Sequence, residues 1–174
     1  IKKEKIKNKQ GKLIPIEAFA HGALCIGISG RCYMSLYSEN TSANRGACRQ
    51  MCRRKYKVSD VDTGQEMVID NEFVMSPKDI CTIGFLKDFL EAGIYSLKIE
   101  GRGRSPEYVA KVIKSYREAI NSIDEGTYTL GKIKKWEKEL KTVFNRGISD
   151  GYYLGKPTHE WSASGNSQAT EERF

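Results

Sequence analysis

The sequence predicts an α/β fold built around a helix–strand–helix block, and three observations support this. Between residues 77 and 123, a helical pattern, a short apolar strand and a second helical pattern follow one another, an order typical of α/β folds. An earlier strand is predicted at 13–20, where apolar and polar residues alternate around Pro15. With so few strands, the 174 residues cannot close an eightfold barrel of about 250 residues, but they suit the last part of one.

Capping residues define the first predicted helix and the strand after it. Ser76 followed by Pro77 predicts a helix start, and Gly93 predicts where that helix ends. A strand is then predicted at 94–100, followed by a loop at 101–104. The residues expected on the inner side of this helix are Ile80, Ile83, Leu86 and Leu90.

Two further helices complete the block. Ser105 followed by Pro106 predicts the start of a longer helix, and a third, Lys-rich helix is predicted at about 131–144. The residues expected to face inward from the longer helix are Val109, Val112, Ile113, Tyr116, Ile120 and Ile123, and those from the third are Trp136, Leu140 and Val143.

The chain divides by composition into a short basic segment and a main body. The first residue is Ile1 rather than Met, so we expect the chain to be part of a longer protein. The predicted parts are a flexible basic segment at 1–12 and a main body at 13–174, which contains a cluster-binding segment at 25–81, a β-hairpin formed by 54–60 and 65–70, the αβα part at 77–144, and a loop-rich tail at 145–174.

Charge and cysteine content restrict the possible partners and the compartment. The net charge is +7, and the basic excess is concentrated in 1–12 and 31–57, which suggests a polyanion such as RNA as partner. For 1–12 a solvated tail is the preferred interpretation, and for 31–57 a solvated basic loop is the alternative to RNA binding. No apolar run approaches the ~20 residues that cross a bilayer, so no membrane partner is expected. Five cysteines without a secretion signal indicate a reducing, cytoplasmic location rather than a disulfide framework.

The cysteines are the strongest chemical signal. Four of the five lie within 25–52, a segment with no predicted fold of its own, where a metal centre would supply the missing constraint. Four thiolates can bind zinc or hold one [4Fe–4S] cluster, and buried thiols remain the alternative. Cys52 follows Cys48 by four residues, so on a helix the two would share a face and could exchange roles. The five are Cys25, Cys32, Cys48, Cys52 and Cys81.

Histidines are the candidate bases for proteolysis. An HExxH motif is absent, so a zinc protease of that type is excluded. His21 and His159 are the two histidines, and either could serve a Ser or Cys nucleophile. His21 precedes Cys25 by four residues, which allows proximity, but a strand-end histidine bonded to backbone is the competing interpretation.

Charged residues after the predicted strand at 94–100 form a second candidate site. A dicarboxylate would require Arg or Lys partners, and Arg102 and Arg104 offer the bidentate geometry, with Lys98 on the strand itself. Glu100 is a candidate proton acceptor or a partner of Arg102. A solvated loop is the alternative.

Arginines and tyrosines of the cysteine-rich segment are the candidate RNA contacts. Arg49, Arg53 and Arg54 are expected to bind phosphates. Three tyrosines among the basic residues could stack on a base or could simply pack, namely Tyr33, Tyr37 and Tyr56.

Six sequence blocks together resemble the peptidase U32 family. The first two are EAFAHGALC, ending at Cys25, and GRCYMS, which contains Cys32. The others are RGACRQMCR, SPKDIC with KIEGR, and YLGKPTH near the end of the chain. The resemblance covers residues 13–174 and implies the C-terminal part of a TIM-barrel-like fold, with the cysteine-rich segment and the β-hairpin inserted.

The resemblance also implies an activity. The family name implies proteolysis, whereas better-understood members resemble oxygen-independent hydroxylation proteins that act on tRNA wobble uridine, an rRNA cytidine or ubiquinone precursors. This chain most resembles the tRNA branch, which implies tRNA as partner, prephenate as oxygen source, and an additional protein part supplying the rest of the fold. A U32-type protease and a zinc-stapled RNA-binding module without catalysis are the alternatives.

The resemblance implies site residues as well. The [4Fe–4S] ligands would be Cys25, Cys32, Cys48 and Cys81, with Cys52 as the alternative to Cys48. Glu100 and His21 are the expected catalytic residues, and Lys98, Arg102 and Arg104 the expected substrate-binding residues.

Overall fold

The computed structural model describes residues 6–67 and 73–155, which fall into two compact units. Within the described residues, the first unit comprises 6–22 and 80–144, and the second comprises 23–67, 73–79 and 145–155.

The described part of the chain is of mixed α/β type. Its strands are β1 (Glu17–Gly22), β2 (Val58–Ser59), β3 (Glu66–Met67), β4 (Asp79–Cys81), β5 (Ser96–Ile99) and β6 (Ile148–Ser149). Its α-helices are α1 (Met34–Glu39), α2 (Leu86–Glu91), α3 (Pro106–Asp124) and α4 (Leu130–Leu140). Short 3-10 turns occur at Ala43–Arg45, Met51–Arg53 and Ile83–Phe85.

Strand β1 is central in the first unit. It pairs in parallel with β5, where Glu17 lies opposite Ser96, and antiparallel with β4, where His21 lies opposite Cys81. The register with β5 shifts between Phe19 and His21, as at a β-bulge. The predicted strand at 13–20 therefore begins later than expected and runs to Gly22.

Helices α3 and α4 close the core of the first unit, and their predicted starts are confirmed. The Ser105 hydroxyl accepts the amide of Tyr108 at 3.2 Å, and the Thr129 hydroxyl caps α4. Ile113 was expected to face inward, yet it is 51% exposed. The inner face of α3 is instead rotated away from it, and the α3 residues buried there are Tyr108, Val112, Ser115, Tyr116, Ala119 and Ser122.

The helix start predicted at Ser76 is wrong. Residues 79–81 form strand β4, and the helix begins only at Leu86, so Cys81 lies in a strand and not at a helix start. Ile80 and Cys81 are neighbours and both are buried, which suits a strand covered on both faces. The predicted end is confirmed, because Gly93 has φ +95° and its amide donates to Leu90 at 2.8 Å.

The second unit contains the predicted hairpin. Val58 lies opposite Met67 in the antiparallel pair of β2 and β3, while 68–70 lie outside the described residues. The turn is organised by Asp60, whose carboxylate accepts the amides of Asp62 at 3.0 Å and Thr63 at 2.7 Å. Helix α1 and two 3-10 turns occur in the segment that was expected to lack regular structure. In the tail, β6 is the regular element among 145–155, and 156–174 lie outside the described residues.

Candidate cysteine centre and strand-end site

Four of the five cysteines belong to the second unit: Cys25, Cys32, Cys48 and Cys52. Cys25 and Cys48 are exposed, and Cys32 and Cys52 are half-buried. Burial raises the pKa of the Cys52 thiol, Arg53 opposes this shift, and the charges of Cys48, Cys25 and Cys32 reinforce it. The other three thiols therefore lie within electrostatic reach of Cys52.

Backbone packing around Cys32 brings the segments of this group together. A Cβ atom at Gly27 would lie 3.4 Å from the Cβ of Cys32, so the loop that carries Cys25 folds back against Cys32. Helix α1, which follows Cys32, packs against the 3-10 turns at Ala43–Arg45 and Met51–Arg53. Ser35 is buried on the inner side of α1, and its hydroxyl accepts the amide of Arg49, next to Cys48, at 3.0 Å.

Arg53 joins three segments of the second unit. Its Nη2 donates to the carbonyl of Leu24 at 2.7 Å, and its Nη1 donates to the Ser76 hydroxyl at 2.9 Å and to the carbonyl of Pro77. These bonds hold the residue before Cys25 close to the residue after Cys52. Arg53 was predicted as an RNA contact, but its half-buried guanidinium is occupied by acceptors within the unit.

The other two predicted RNA contacts lie on the surface. Arg49 is exposed. Arg54 is exposed as well and forms an ion pair with Glu39 at 3.1 Å. Of the three arginines, Arg49 and Arg54 are thus placed to meet a ligand.

A buried ion pair supports the backbone of the Cys48 loop. Gln50 has φ +53°, its amide donates to the Sγ of Cys48 at 3.3 Å, and its Oε1 accepts Nη2 of Arg146 at 3.0 Å. Arg146 is itself held by Asp79, whose Oδ2 accepts its backbone amide at 3.2 Å, and both side chains are buried. Sequence reasoning missed this network, because Arg146 carries no motif of its own within a polar tail.

Cys48 and Cys52 do not share a helix face, which corrects the expectation from their spacing. The left-handed Gln50 interrupts the backbone between them, and Cys52 alone lies in the 3-10 turn at Met51–Arg53. Each thiol is therefore carried by a different backbone segment, and the two are not equivalent positions on one helix.

Cys81 lies in the first unit in a different environment. It is 8% exposed, and the Tyr116 hydroxyl oxygen lies 3.8 Å from its Sγ. Burial raises the pKa of this thiol to about 11. Its role as a ligand stays a prediction.

The donor set of the second unit fits an iron–sulfur cluster in chemistry. Among the described residues, no three His, Cys, Asp or Glu side chains stand in a geometry that would already hold a metal ion. The four thiols are nevertheless of the soft type that iron–sulfur clusters and zinc require, in the number required. The positive charge of Arg53 opposes the effect of burial on the pKa of the Cys52 thiol.

His21 is a buried histidine in the first unit. It is 2% exposed, and burial lowers its pKa to about 4, so the imidazole is neutral near neutral pH. Its Nδ1 lies 3.5 Å from the Tyr116 hydroxyl, which donates to the carbonyl of Ala20 at 2.8 Å and accepts the amide of Thr82 at 3.0 Å. These contacts are those of a structural strand-end residue. His159 lies outside the described residues.

The turn after β5 brings two of the predicted substrate-site residues together. The Glu100 Oε1 accepts the backbone amide of Arg102 at 3.0 Å, and the Arg102 side chain is exposed. Gly22, with φ +125°, approaches Glu100 so closely that a Cβ atom there would lie 2.8 Å from the Glu100 Cβ. Lys98 is exposed on β5.

Arg104 occupies an aromatic setting rather than an open one. Its guanidinium lies 3.7 Å from the ring centroid of Phe144 and 5.8 Å from that of Tyr108. It is half-buried, so its contact with Phe144 accounts for its position in the first unit.

The three candidate tyrosines separate into two groups. The Tyr56 hydroxyl donates to the carbonyl of Met51 at 2.7 Å, and its side chain is half-buried. Tyr33 and Tyr37 are 61% and 94% exposed. None of the helices in the described part of the chain has the length and apolarity needed to cross a lipid bilayer.

Comparison with known proteins identifies similar sequences. A family model described as peptidase family U32 matches residues 2–163. A collagenase of Porphyromonas gingivalis is 50% identical over the whole chain. The tRNA hydroxylation protein P1 of Bacillus subtilis is 38% identical over 84% of the chain, and a 23S rRNA 5-hydroxycytidine synthase of Escherichia coli is 36% identical over 78%.

The chain spans less than half the length of these curated relatives. It covers 42% of the collagenase, 36% of the tRNA hydroxylation protein and 21% of the rRNA synthase. No solved structure matches it.

Proposed function

The chain belongs to peptidase family U32, and on that basis we propose that it is the cysteine-bearing part of an enzyme that hydroxylates tRNA at the wobble uridine. Relatives named as tRNA hydroxylation proteins and as an rRNA hydroxycytidine synthase support RNA as the substrate class. The observation that carries the proposal is the group of four thiols in the unit that contains the basic segment 31–57, a combination that suits a redox centre working on a polyanion.

We propose a [4Fe–4S] cluster as the resident cofactor, with zinc as the alternative. Three of the proposed ligands are Cys25, Cys32 and Cys48, and the fourth is either Cys81 or Cys52. Cys81 is the fourth ligand implied by the family resemblance, whereas the grouping of thiols in one unit supports Cys52. When bound, such a cluster supplies one-electron transfer.

The chain's own residues position this centre. Arg53 fixes the backbone beside Cys25 and Cys52 through its three acceptors. Gln50 donates its backbone N–H to the Sγ of Cys48 and so helps to orient this thiol. The buried Arg146 keeps Gln50 in place.

Prephenate is the proposed oxygen source, and the turn after β5 is its proposed site in the first unit. Arg102 is exposed and can form a bidentate contact with one carboxylate, while Lys98 offers a second positive charge. Glu100 is the proposed proton acceptor in the same turn, since its carboxylate is held by the Arg102 amide. Arg104 is better explained as a structural partner of Phe144.

Mass spectrometry of nucleosides tests the function. The intact protein, purified without oxygen, is incubated with tRNA from a strain that lacks the modification, with and without prephenate. We expect the wobble uridine to gain one oxygen only when prephenate and a cluster-loaded protein are both present. An unchanged uridine under all conditions would contradict the proposal.

Proteolysis is the second candidate, favoured by the 50% identity to proteins named collagenase. The described residues offer little of the chemistry that proteolysis requires. His21 is buried and neutral, and the nearby Cys81 thiol has a pKa raised to about 11, so the two do not form a thiolate–imidazolium pair. Cleavage of gelatin by the same preparation, lost in a His21→Ala variant that still folds, would establish this alternative.

A further inference from the structure

Helix α1 of the second unit has an unusual distribution of side chains. It buries a serine, Ser35, and exposes large apolar groups. Tyr33, Leu36 and Tyr37 are 61%, 43% and 94% exposed. A soluble helix normally buries its apolar side and exposes its polar side, so this helix is inverted.

The three exposed side chains form one continuous face. The amide of Tyr37 donates to the carbonyl of Tyr33 at 2.9 Å, so the helical turn already includes Tyr33. Residues three and four positions apart lie on the same side of a helix, which places Leu36 and Tyr37 next to Tyr33. We call this surface, made of Tyr33, Leu36 and Tyr37, the tyrosine face.

The inverted orientation is fixed from the inner side. The Ser35 hydroxyl accepts the amide of Arg49 at 3.0 Å, and the carbonyl of Ser35 accepts the amide of Thr41 at 3.3 Å. The second bond caps the C-terminus of the helix, whereas the first ties the helix to the Cys48 loop, so rotating the helix to bury the tyrosines would break the Ser35–Arg49 bond. The tyrosines are therefore held in solvent by the packing beneath them.

The surroundings of the tyrosine face are basic. Arg31, Arg45 and Arg49 are exposed in the segment on either side of α1. Glu39 is the only acidic residue within 31–57, and Arg54 neutralises it at 3.1 Å. An apolar protein partner would gain nothing from this charge, whereas a phosphate backbone would be attracted by it.

We propose that the tyrosine face stacks the unpaired bases of a single-stranded RNA segment while the neighbouring arginines contact its phosphates. Tyrosine rings accept any base by stacking, and a base that must react has to leave its helix first. Cys32 directly precedes Tyr33, so the stacked segment lies beside the cysteine centre. This inference rests on the proposed RNA function and specifies how the substrate is held.

The experiment measures binding of the intact protein to two labelled probes, an oligouridine of about 12 nucleotides and an RNA duplex of similar length. Tyr33→Ala and Tyr37→Ala should each weaken oligouridine binding roughly tenfold, because each removes a stacking platform. Binding of the duplex should change little, since its bases are already stacked. Tyr37→Phe keeps the ring and should bind oligouridine as the wild type does.

Tyr95→Ala is the matched control. Tyr95 is 82% exposed and lies in the first unit, so its loss should leave both affinities unchanged. Wild-type affinity for oligouridine in both Tyr33→Ala and Tyr37→Ala would overturn the proposal. The proposal would also be overturned if these two variants bound oligouridine normally but differed from the wild type in molecular mass in solution. The tyrosine face would then be a contact between protein molecules.

The proposed RNA contact of the tyrosine face and the proposed hydroxylation can fail independently. If the wild type hydroxylates tRNA and the tyrosine variants bind oligouridine normally, the tyrosine face is wrong and the function stands. If the tyrosine variants lose oligouridine binding but the wild type never modifies tRNA, the face binds single strands and the proposed reaction is wrong.

Discussion

Arg146 and Gln50 are 96 residues apart in sequence, yet Nη2 of Arg146 lies 3.0 Å from Oε1 of Gln50. The bond ties the polar tail of the chain to the loop that carries Cys48, whose Sγ accepts the Gln50 amide. Asp79 completes the arrangement on the other side of Arg146. A residue far outside the cysteine-rich segment thus supports the cysteine centre.

Loss of this support should destabilise the second unit. Arg146→Ala leaves the Asp79 carboxylate buried without its cation, which should cost about 3–5 kcal/mol in the free energy of unfolding. Denaturant titration measures the loss, and the variant should also retain less iron. Lys135→Ala is the control, because its exposed pair with Glu139 should contribute at most about 0.5 kcal/mol.

The stability of the first unit should depend on the protonation of His21. Its pKa falls from 6.5 to about 4 on folding, so the unfolded chain binds the proton more readily. Above pH 6.5 the neutral imidazole therefore makes its full contribution to the free energy of unfolding, on the order of 3 kcal/mol. This contribution is lost as the pH falls toward 4. Proton NMR of His21, assigned with a His159→Gln variant, measures the pKa directly; a value near 6.5 would contradict the buried neutral imidazole.

Serine substitutions identify the cluster ligands. Cys25→Ser, Cys32→Ser and Cys48→Ser should each abolish the broad visible absorbance and the bound iron, because a hydroxyl is a poor ligand for iron in a cluster. From the grouping in the second unit, Cys52→Ser should do the same while Cys81→Ser retains iron. The reverse result for the last two variants would return the fourth position to Cys81, and stoichiometric zinc without iron would replace the cluster altogether.

Arginines of the second unit should divide into binding and structural residues. Arg49→Glu and Arg54→Glu should weaken tRNA binding, and the slope of affinity against salt should fall by about one for each lost phosphate contact. Arg53→Ala should instead lower stability by about 1–3 kcal/mol, since it leaves buried acceptors without a donor. If Arg53→Ala folds normally and only tRNA binding suffers, Arg53 is an RNA contact after all.

Arg102 and Arg104 should respond differently to substitution. Arg102→Ala should reduce prephenate affinity about tenfold, and Arg102→Lys should restore it only in part, because the ammonium lacks the bidentate fork. Arg104→Ala should leave that affinity intact and lower stability by about 1 kcal/mol through loss of the Phe144 contact. Calorimetric titration with prephenate, together with thermal unfolding, separates the two effects.

The two Ser-Pro dipeptides show what the sequence could predict. Ser105 and Ser76 carry the same local signal, and Ser105 does cap α3. Ser76 does not start a helix, because its hydroxyl accepts a bond from Arg53 and the following residues pair with β1. Capping is a local property and was read correctly where nothing competed, whereas a partner 23 residues away is invisible in the sequence.

The candidate site divides in the same way. The cysteines could be named as candidate ligands from composition and spacing, since no fold is needed to recognise them. Which thiols share a unit did not follow, because that depends on the Arg53 contacts and on the left-handed Gln50. The contact of Arg104 with Phe144 could not be predicted either, because the sequence does not reveal which ring lies beside this guanidinium.

The close approach of Gly22 to Glu100 constrains position 22 more tightly than position 100. Any side chain at position 22 would adopt a backbone conformation that only glycine tolerates and would also meet the Glu100 Cβ at 2.8 Å. A lineage can therefore vary the acidic residue at the proposed prephenate site, but it cannot relax the glycine while the strand and the turn keep their spacing. Gly22 is therefore required by the backbone of the neighbouring strand and turn, and not by any chemistry of its own.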